Sequence, residues 1–166
     1  MIFENHIGIF ENAFTDDFCK GLIDFFELKK EAHTTIDNEK RNDISLFNPE
    51  RFGSYNKNYK DILYKGLQNS YESYRENYII KNFNGKSICP IPKNIKMESN
   101  GYKIQKSSIG GGFCNWHSEY TSSQDNTRDR FLVWMVYLND VKNGGKTEFL
   151  NELSVHPKMG TLLLWP

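Results

Sequence analysis

The fold is decided by the stretch Gly101–Tyr120, which reads GYKIQKSSIGGGFCNWHSEY. Within it, Tyr102–Ser108 and Cys114–Tyr120 have the aromatic and β-branched content of short strands. The glycine run Gly110–Gly112 lies between them and is typical of a turn. The stretch therefore predicts two strands joined by a close connection.

The sequence after this stretch shows the same pattern of short strand candidates and turns. Short apolar segments alternate with turns that contain glycine or proline: Arg130–Leu138, Lys146–Leu150, Leu153–His156 and Thr161–Trp165. Many short strands with close turns predict an antiparallel sandwich, jelly roll or barrel. We therefore expect residues 101–166 to form a β-rich core.

The residues before Gly101 predict helices. Thr15 is a candidate N-cap for a helix whose apolar positions recur at helical spacing and whose C-terminal end lies near Lys29 and Lys30. A second helix is predicted over Tyr59–Ile80, with a face rich in tyrosine, and a short strand over Asp43–Phe47. Helices followed by strands indicate the α+β class.

We expect one domain over residues 1–166, with residues 1–100 as a helical support region and residues 101–166 as the β core. Lys and Arg number 21, and Asp and Glu also number 21, so no cationic surplus favours binding to nucleic acid or to an anionic membrane. The longest apolar run, Phe131–Leu138, is too short to span a bilayer. Scattered cysteines without a CxxC pair indicate free thiols, and we expect a soluble cytoplasmic protein.

The candidate chemistry lies at His117 and Glu119. Residues two apart in a strand point to the same face, so the imidazole and the carboxylate are expected to project together. They would supply two members of the two-histidine, one-carboxylate set that binds non-haem Fe(II). The spacing alone fits an exposed polar strand face better than a metal site.

The order of motifs after Gly101 resembles that of the 2-oxoglutarate- and Fe(II)-dependent dioxygenases, and within them the prolyl-hydroxylase-like branch. The resemblance covers residues 101–166 and rests on these segments: Tyr102–Gln105, Gly110–Glu119, Arg130–Met135, Tyr137–Val141, Gly144–Phe149 and Pro157–Pro166. It implies a double-stranded β-helix with the metal inside the mouth of the barrel. It also implies that His117 and Glu119 are iron ligands, although the family more commonly has Asp at the second position, and that Tyr137 binds the carboxylate of 2-oxoglutarate.

The chain departs from the family pattern at its C-terminal end. In the family, a second metal-binding histidine and a basic residue that binds 2-oxoglutarate follow the position of Trp165 and Pro166. We therefore expect a catalytic core that is incomplete at the C-terminus, in a fragment of a longer enzyme, and an unpaired edge at Leu162–Trp165. The remaining histidines, His156, His6 and His33, are interpreted as structural or surface residues.

Two functions follow from these observations. The resemblance implies a dioxygenase that uses Fe(II), 2-oxoglutarate and ascorbate as reductant to hydroxylate a peptidyl residue, such as proline, or a small molecule. The reaction would convert 2-oxoglutarate to succinate and CO₂. The alternative is a truncated, non-catalytic β-helix module that serves as a binding or scaffold domain. Substrate specificity is expected to lie in the polar loop Thr121–Asp129 and in residues 31–56.

Overall fold

The computed structural model describes residues 1–91, 93–94, 101–118, 131–150 and 152–166. Its helices are α1 (Asp16–Leu28) and α2 (Lys57–Asn77), with short 3-10 helices at Lys30–Ala32 and Pro49–Arg51. The strands are β1 (Ile2–Glu4), β2 (Ile7–Phe10), β3 (Thr34–Asn38), β4 (Arg41–Phe47), β5 (Ile80–Lys81), β6 (Ser87–Ile88), β7 (Lys103–Ser107), β8 (Val133–Val136), β9 (Thr147–Glu148), β10 (Ser154–Val155) and β11 (Leu162–Trp165).

Helix α1 forms where local signals are strong. The hydroxyl of Thr15 accepts a hydrogen bond from the amide of Phe18 at 3.3 Å, which confirms the predicted N-cap. Asp16 and Asp17 occupy the first turn, where carboxylates stabilise the positive end of the helix dipole. The helix ends at Leu28, as expected from the sequence.

Helix α2 begins two residues before its predicted start and ends three residues before its predicted end. The side chain of Asn56 caps it by accepting from the amide of Asn58 at 3.0 Å. Tyr71 and Tyr74 on its apolar face are completely buried. The tyrosine-rich face is therefore a packing face, as the helical spacing indicated.

The largest sheet has the order β1-β2-β11-β8 and is antiparallel throughout. Strand β11 lies inside it, because Leu163 is opposite Ile9 of β2 on one side and Met135 of β8 on the other. The expectation of an unpaired edge at Leu162–Trp165 is therefore wrong. That expectation failed because β2, which covers the edge, was not predicted from the sequence.

A second antiparallel sheet has the order β3-β4-β7, and two further pairs join β9 to β10 and β5 to β6. Residues before and after Gly101 thus share sheets, since β2 pairs with β11 and β4 pairs with β7. The N-terminal region therefore supplies strands of the β structure as well as helices. Mixed helices and antiparallel sheets agree with the predicted α+β class.

The alternation of side chains along β11 separates two apolar clusters. Leu162 and Leu164 face a large cluster that includes buried side chains of α1 and α2. Leu163 faces the other way and packs with Ile7, Ile9 and Val155. The helices therefore cover one face of the four-stranded sheet, and the β9–β10 pair covers the other.

Gly160 makes the turn that leads into β11. Its φ is +76°, and a Cβ at this position would lie 2.2 Å from the carbonyl oxygen of Phe14. Its amide donates to the carbonyl of Tyr137 at 2.9 Å, and its own carbonyl accepts from the amide of Phe14 at 3.1 Å. Only glycine combines this backbone conformation with so close an approach.

Among the described residues, no helix is long and apolar enough to cross a membrane.

Candidate metal and cosubstrate site

The glycine run after β7 directs the chain back against β4. The amide of Gly111 donates to the carbonyl of Ser108 at 2.9 Å, and Gly110 has a φ of +74°. The carbonyl of Gly112 accepts from the amide of Asn42 at 3.1 Å. A Cβ on Gly111 would lie 2.8 Å from the carbonyl oxygen of Asn42, so the close approach requires glycine there.

This approach places Phe113 opposite Arg41 in an isolated antiparallel bridge. The amide of Cys114 also donates to the carbonyl of Lys40, at 3.4 Å. The segment that carries His117 is therefore attached to the start of β4 by its backbone. The predicted turn at Gly110–Gly112 is confirmed.

The predicted strand Cys114–Tyr120 is wrong where the structure describes it, because residues 114–118 belong to no strand. Among the described residues 113–118, the bridge at Phe113 is the last strand-like pairing. The strand that was expected to place His117 and Glu119 on one face is therefore not formed over residues 114–118. Glu119 itself lies outside the described residues, and its role as a ligand stays a prediction.

His117 is exposed, and one of its ring nitrogens has a defined partner. Nδ1 lies 2.9 Å from the carbonyl oxygen of Asn115. A carbonyl oxygen only accepts, so Nδ1 carries the proton and the neutral ring keeps its lone pair on Nε2. Metal-binding histidines generally donate their other N–H to a carbonyl or carboxylate in this way. The donor chemistry of His117 therefore fits a metal ligand that binds through Nε2.

A polar network on β4 and β7 lies next to this segment. The guanidinium of Arg41 donates from Nε and Nη2 to the two carboxylate oxygens of Asp43, and from Nη2 to Oε1 of Gln105 at 3.4 Å. Ser45 donates to the same carboxylate at 3.0 Å. Asp43 and Ser45 are completely buried.

The carboxyl of Asp43 is held in its charged form by these donors. Burial by itself raises the pKa of Asp43, but hydrogen bonds from Arg41 and Ser45 outweigh burial and bring the pKa below its ordinary value. This network was not predicted from the sequence. The alternation of polar residues in Arg41–Ser45 was visible, but the sequence does not show that these residues face inwards.

Tyr137 follows β8 and faces the cluster beneath the β9–β10 pair. Its hydroxyl lies 2.6 Å from the hydroxyl of Thr147 and 3.2 Å from the carbonyl oxygen of Val155. Burial raises the pKa of Tyr137, so the phenol stays protonated at neutral pH and can donate a hydrogen bond. Its role in binding 2-oxoglutarate stays a prediction.

The other histidines have structural surroundings. His33 stacks on Phe26 with ring centroids 4.0 Å apart, and its Nε2 donates to the Phe26 carbonyl at 2.8 Å. His6 lies in the β1–β2 turn with its ring centroid 4.7 Å from that of Tyr78. Within the described ranges, no three His, Cys, Asp or Glu side chains are grouped as a metal site.

The comparisons with known proteins inform the fold. No protein-family model matches the sequence, and no curated protein matches it. Among solved structures, the chain is similar to the viral collagen prolyl hydroxylase of Paramecium bursaria Chlorella virus-1 in complex with 2OG (2-oxoglutarate). The TM-score is 0.63 at 18% sequence identity, and the match covers 97% of this chain and 77% of the viral chain. The chain therefore has a fold like that of this viral hydroxylase.

Proposed function

We propose that the chain is a 2-oxoglutarate- and Fe(II)-dependent dioxygenase of the prolyl-hydroxylase-like branch. The observation that carries the proposal is the fold similarity to the viral collagen prolyl hydroxylase, over 97% of this chain. The tautomer of His117, in which Nδ1 carries the proton, is the form that a ligand binding through Nε2 requires, and it supports the same conclusion. The core would be a double-stranded β-helix, and the substrate a peptidyl residue, such as proline, or a small molecule.

His117 and Glu119 would hold the metal, and Tyr137 would donate its phenol hydrogen to a carboxylate of 2-oxoglutarate. Bound iron and 2-oxoglutarate would supply oxygen activation, in which one oxygen atom enters the substrate and the other enters succinate as CO₂ is released. Ascorbate would serve as the external reductant. The protein's part is to orient these groups: the Asn115 carbonyl fixes the His117 tautomer, and burial keeps Tyr137 protonated.

The metal assignment is tested by titration of the 166-residue chain with Mn(II), followed by electron paramagnetic resonance. With two assigned protein ligands we expect weak binding that His117→Ala abolishes. His156→Ala is the matched control, because His156 is also an exposed histidine and is not one of the assigned ligands. Binding that survives His117→Ala would contradict the assignment.

The reaction is tested by incubating the protein with Fe(II), 2-oxoglutarate, ascorbate and oxygen, with succinate followed by NMR. Succinate formation that depends on His117 supports the dioxygenase. We expect no succinate from the 166-residue chain, in which the second histidine and the basic residue of the family pattern are not assigned, and succinate from a chain extended to include them. Specific Mn(II) binding at His117 without succinate formation in the extended chain would favour the alternative, a non-catalytic binding or scaffold module.

A further inference from the structure

We infer that Phe113 is a positioning residue for His117, and that Arg41 and Asp43 fix Phe113 in turn. The inference rests on the proposed function, because the position of the imidazole matters for chemistry only if His117 binds the metal. Three successive contacts connect the buried carboxylate of Asp43 in the β3-β4-β7 sheet to the exposed imidazole of His117.

The chain of contacts begins at Asp43, whose side chain is completely buried. Two guanidinium nitrogens of Arg41 donate to its two carboxylate oxygens, an arrangement that fixes the plane of the guanidinium as well as its position. Gln105 on the neighbouring strand accepts a further hydrogen bond from Arg41. The guanidinium of Arg41 is therefore fixed in position, although the side chain is long.

The second contact joins Arg41 to Phe113. The guanidinium carbon lies 5.6 Å from the centroid of the Phe113 ring, within the range of a cation–π interaction. The backbones of the same two residues form the isolated bridge. Phe113 is thus fixed at its backbone and at its ring, although the residue remains 44% exposed.

The third contact joins Phe113 to His117. The two ring centroids are 4.6 Å apart, with an interplanar angle of 55°. The imidazole therefore has an aromatic contact with Phe113 and a hydrogen bond from Nδ1 to the Asn115 carbonyl. Together these two contacts limit both torsions of an exposed side chain that otherwise samples several rotamers.

The consequence is a pre-oriented metal ligand. Groups that orient a metal-binding histidine generally change metal affinity by about tenfold to a hundredfold when they are removed. Because Phe113 contacts the ring without a hydrogen bond, we expect Phe113→Leu to weaken Mn(II) binding by about tenfold, at the lower end of that range. Phe113→Tyr keeps the ring and is expected to retain the affinity.

The chain offers a matched control in Phe47, on the same strand as Arg41. Phe47 is 49% exposed, and its ring centroid lies 5.9 Å from Nζ of Lys103, so it is also an exposed phenylalanine in a cation–π pair. Phe47→Leu removes a comparable contact two strand positions beyond the buried Ser45. We expect its Mn(II) affinity to equal that of the wild type.

A second measurement does not require metal. NMR of the imidazole nitrogens in the metal-free protein reports the tautomer of His117, with His117→Ala used to assign the signals. We expect the Nδ1–H form in the wild type and in Phe113→Tyr. In Phe113→Leu, the nitrogen shifts should move towards the average of the two tautomers, because the ring leaves the Asn115 carbonyl more often.

The outcomes separate the two proposals. If Phe113→Leu leaves both the Mn(II) affinity and the imidazole shifts of the wild type unchanged, the positioning role is overturned. Equal losses of Mn(II) affinity in Phe113→Leu and Phe47→Leu would also overturn the positioning role, since equal losses would reflect a general loosening of the sheet. If His117→Ala does not affect Mn(II) binding, the proposed function fails, and the metal-free imidazole shifts still decide whether Phe113 positions the ring.

Discussion

The hydroxyl of Tyr137 lies 2.6 Å from the hydroxyl of Thr147 and thereby connects the end of β8 to β9. Both residues border the cluster on the face of the large sheet that is turned away from the helices. A carboxylate that accepts from Tyr137 would take the place of the bond to Thr147 or to the Val155 carbonyl. The hydroxyl proton of Tyr137 therefore serves a hydrogen bond within the protein in this structure, and the same proton would be donated to the proposed ligand.

Tyr137→Phe tests the proposed ligand. Loss of the hydroxyl should reduce 2-oxoglutarate affinity by about tenfold to a hundredfold, because a hydrogen bond to a charged group contributes about 1.5–3 kcal/mol. Isothermal titration calorimetry with 2-oxoglutarate in the presence of Mn(II) measures this affinity. Tyr102→Phe is the control, since its hydroxyl is also part-buried and hydrogen-bonded, to Tyr55 in the helix-side cluster. Equal affinities in wild type and Tyr137→Phe would remove Tyr137 from the site.

The pH dependence of stability should report Asp43. Its pKa lies below the ordinary value in the folded protein, so the charged carboxylate stabilises the fold above about pH 4, and that stability is lost as the pH falls through the folded pKa. At neutral pH, Asp43→Asn should lower the free energy of unfolding by about 2–3 kcal/mol, as expected for charge-assisted hydrogen bonds.

Denaturant unfolding between pH 7 and pH 3 measures this effect. The difference between wild type and Asp43→Asn should shrink as the pH falls, because protonation removes the same charge in the wild type. Asp24→Asn is the control, since Asp24 is exposed on α1. A difference that stays constant down to pH 3 would show that the carboxylate charge is not what stabilises the network.

The elements that could be predicted from the sequence are those with local signals. Helix α1 has a capping threonine and an apolar stripe, and β8 and β11 are uninterrupted apolar runs. The hairpin of β1 and β2 was missed because Asn5 and His6 form its turn with φ values of 48° and 67°. Such a turn is usually marked by Asn-Gly or Asp-Gly, and histidine gives no such signal.

The site was harder to predict than the fold. His117 was singled out by its spacing from Glu119 and then by the resemblance, whereas its contacts with Phe113 and, through it, Arg41 depend on pairing between segments about 70 residues apart in the chain. The prediction of a strand at residues 114–118 was wrong for the same reason, because strand formation also depends on distant pairing. Alternation predicts a strand only where a neighbouring strand is available to pair, and the sequence does not show where pairing stops.

Gly160→Ala should be strongly destabilising. The Cβ would meet the carbonyl oxygen of Phe14 at 2.2 Å, and the φ of +76° is unfavourable for alanine. We expect a loss of about 3 kcal/mol or more in the free energy of unfolding, from backbone strain and displacement of the loop before α1. Gly53→Ala is the control, because a Cβ there meets no atom within 4 Å. Equal stability of the two variants would contradict the close approach.

Thr161→Val should stabilise the protein. Thr161 is 2% exposed, and within the described part of the chain its Oγ1 is buried without a hydrogen-bond partner. A buried hydroxyl that loses water and gains no partner costs about 1–3 kcal/mol, and valine has nearly the same shape. We therefore expect a gain of about 1 kcal/mol in the free energy of unfolding, measured by chemical denaturation.

The control for this substitution is Thr34→Val on β3, where the threonine is exposed and pairs opposite Ser45. Both substitutions exchange a hydroxyl for a methyl group in a β-branched residue near or within a strand, so they share any change in intrinsic strand preference. The gain should appear at Thr161 and not at Thr34, because only the buried hydroxyl was withdrawn from water. A loss of stability in Thr161→Val would mean that Oγ1 donates or accepts a hydrogen bond in solution.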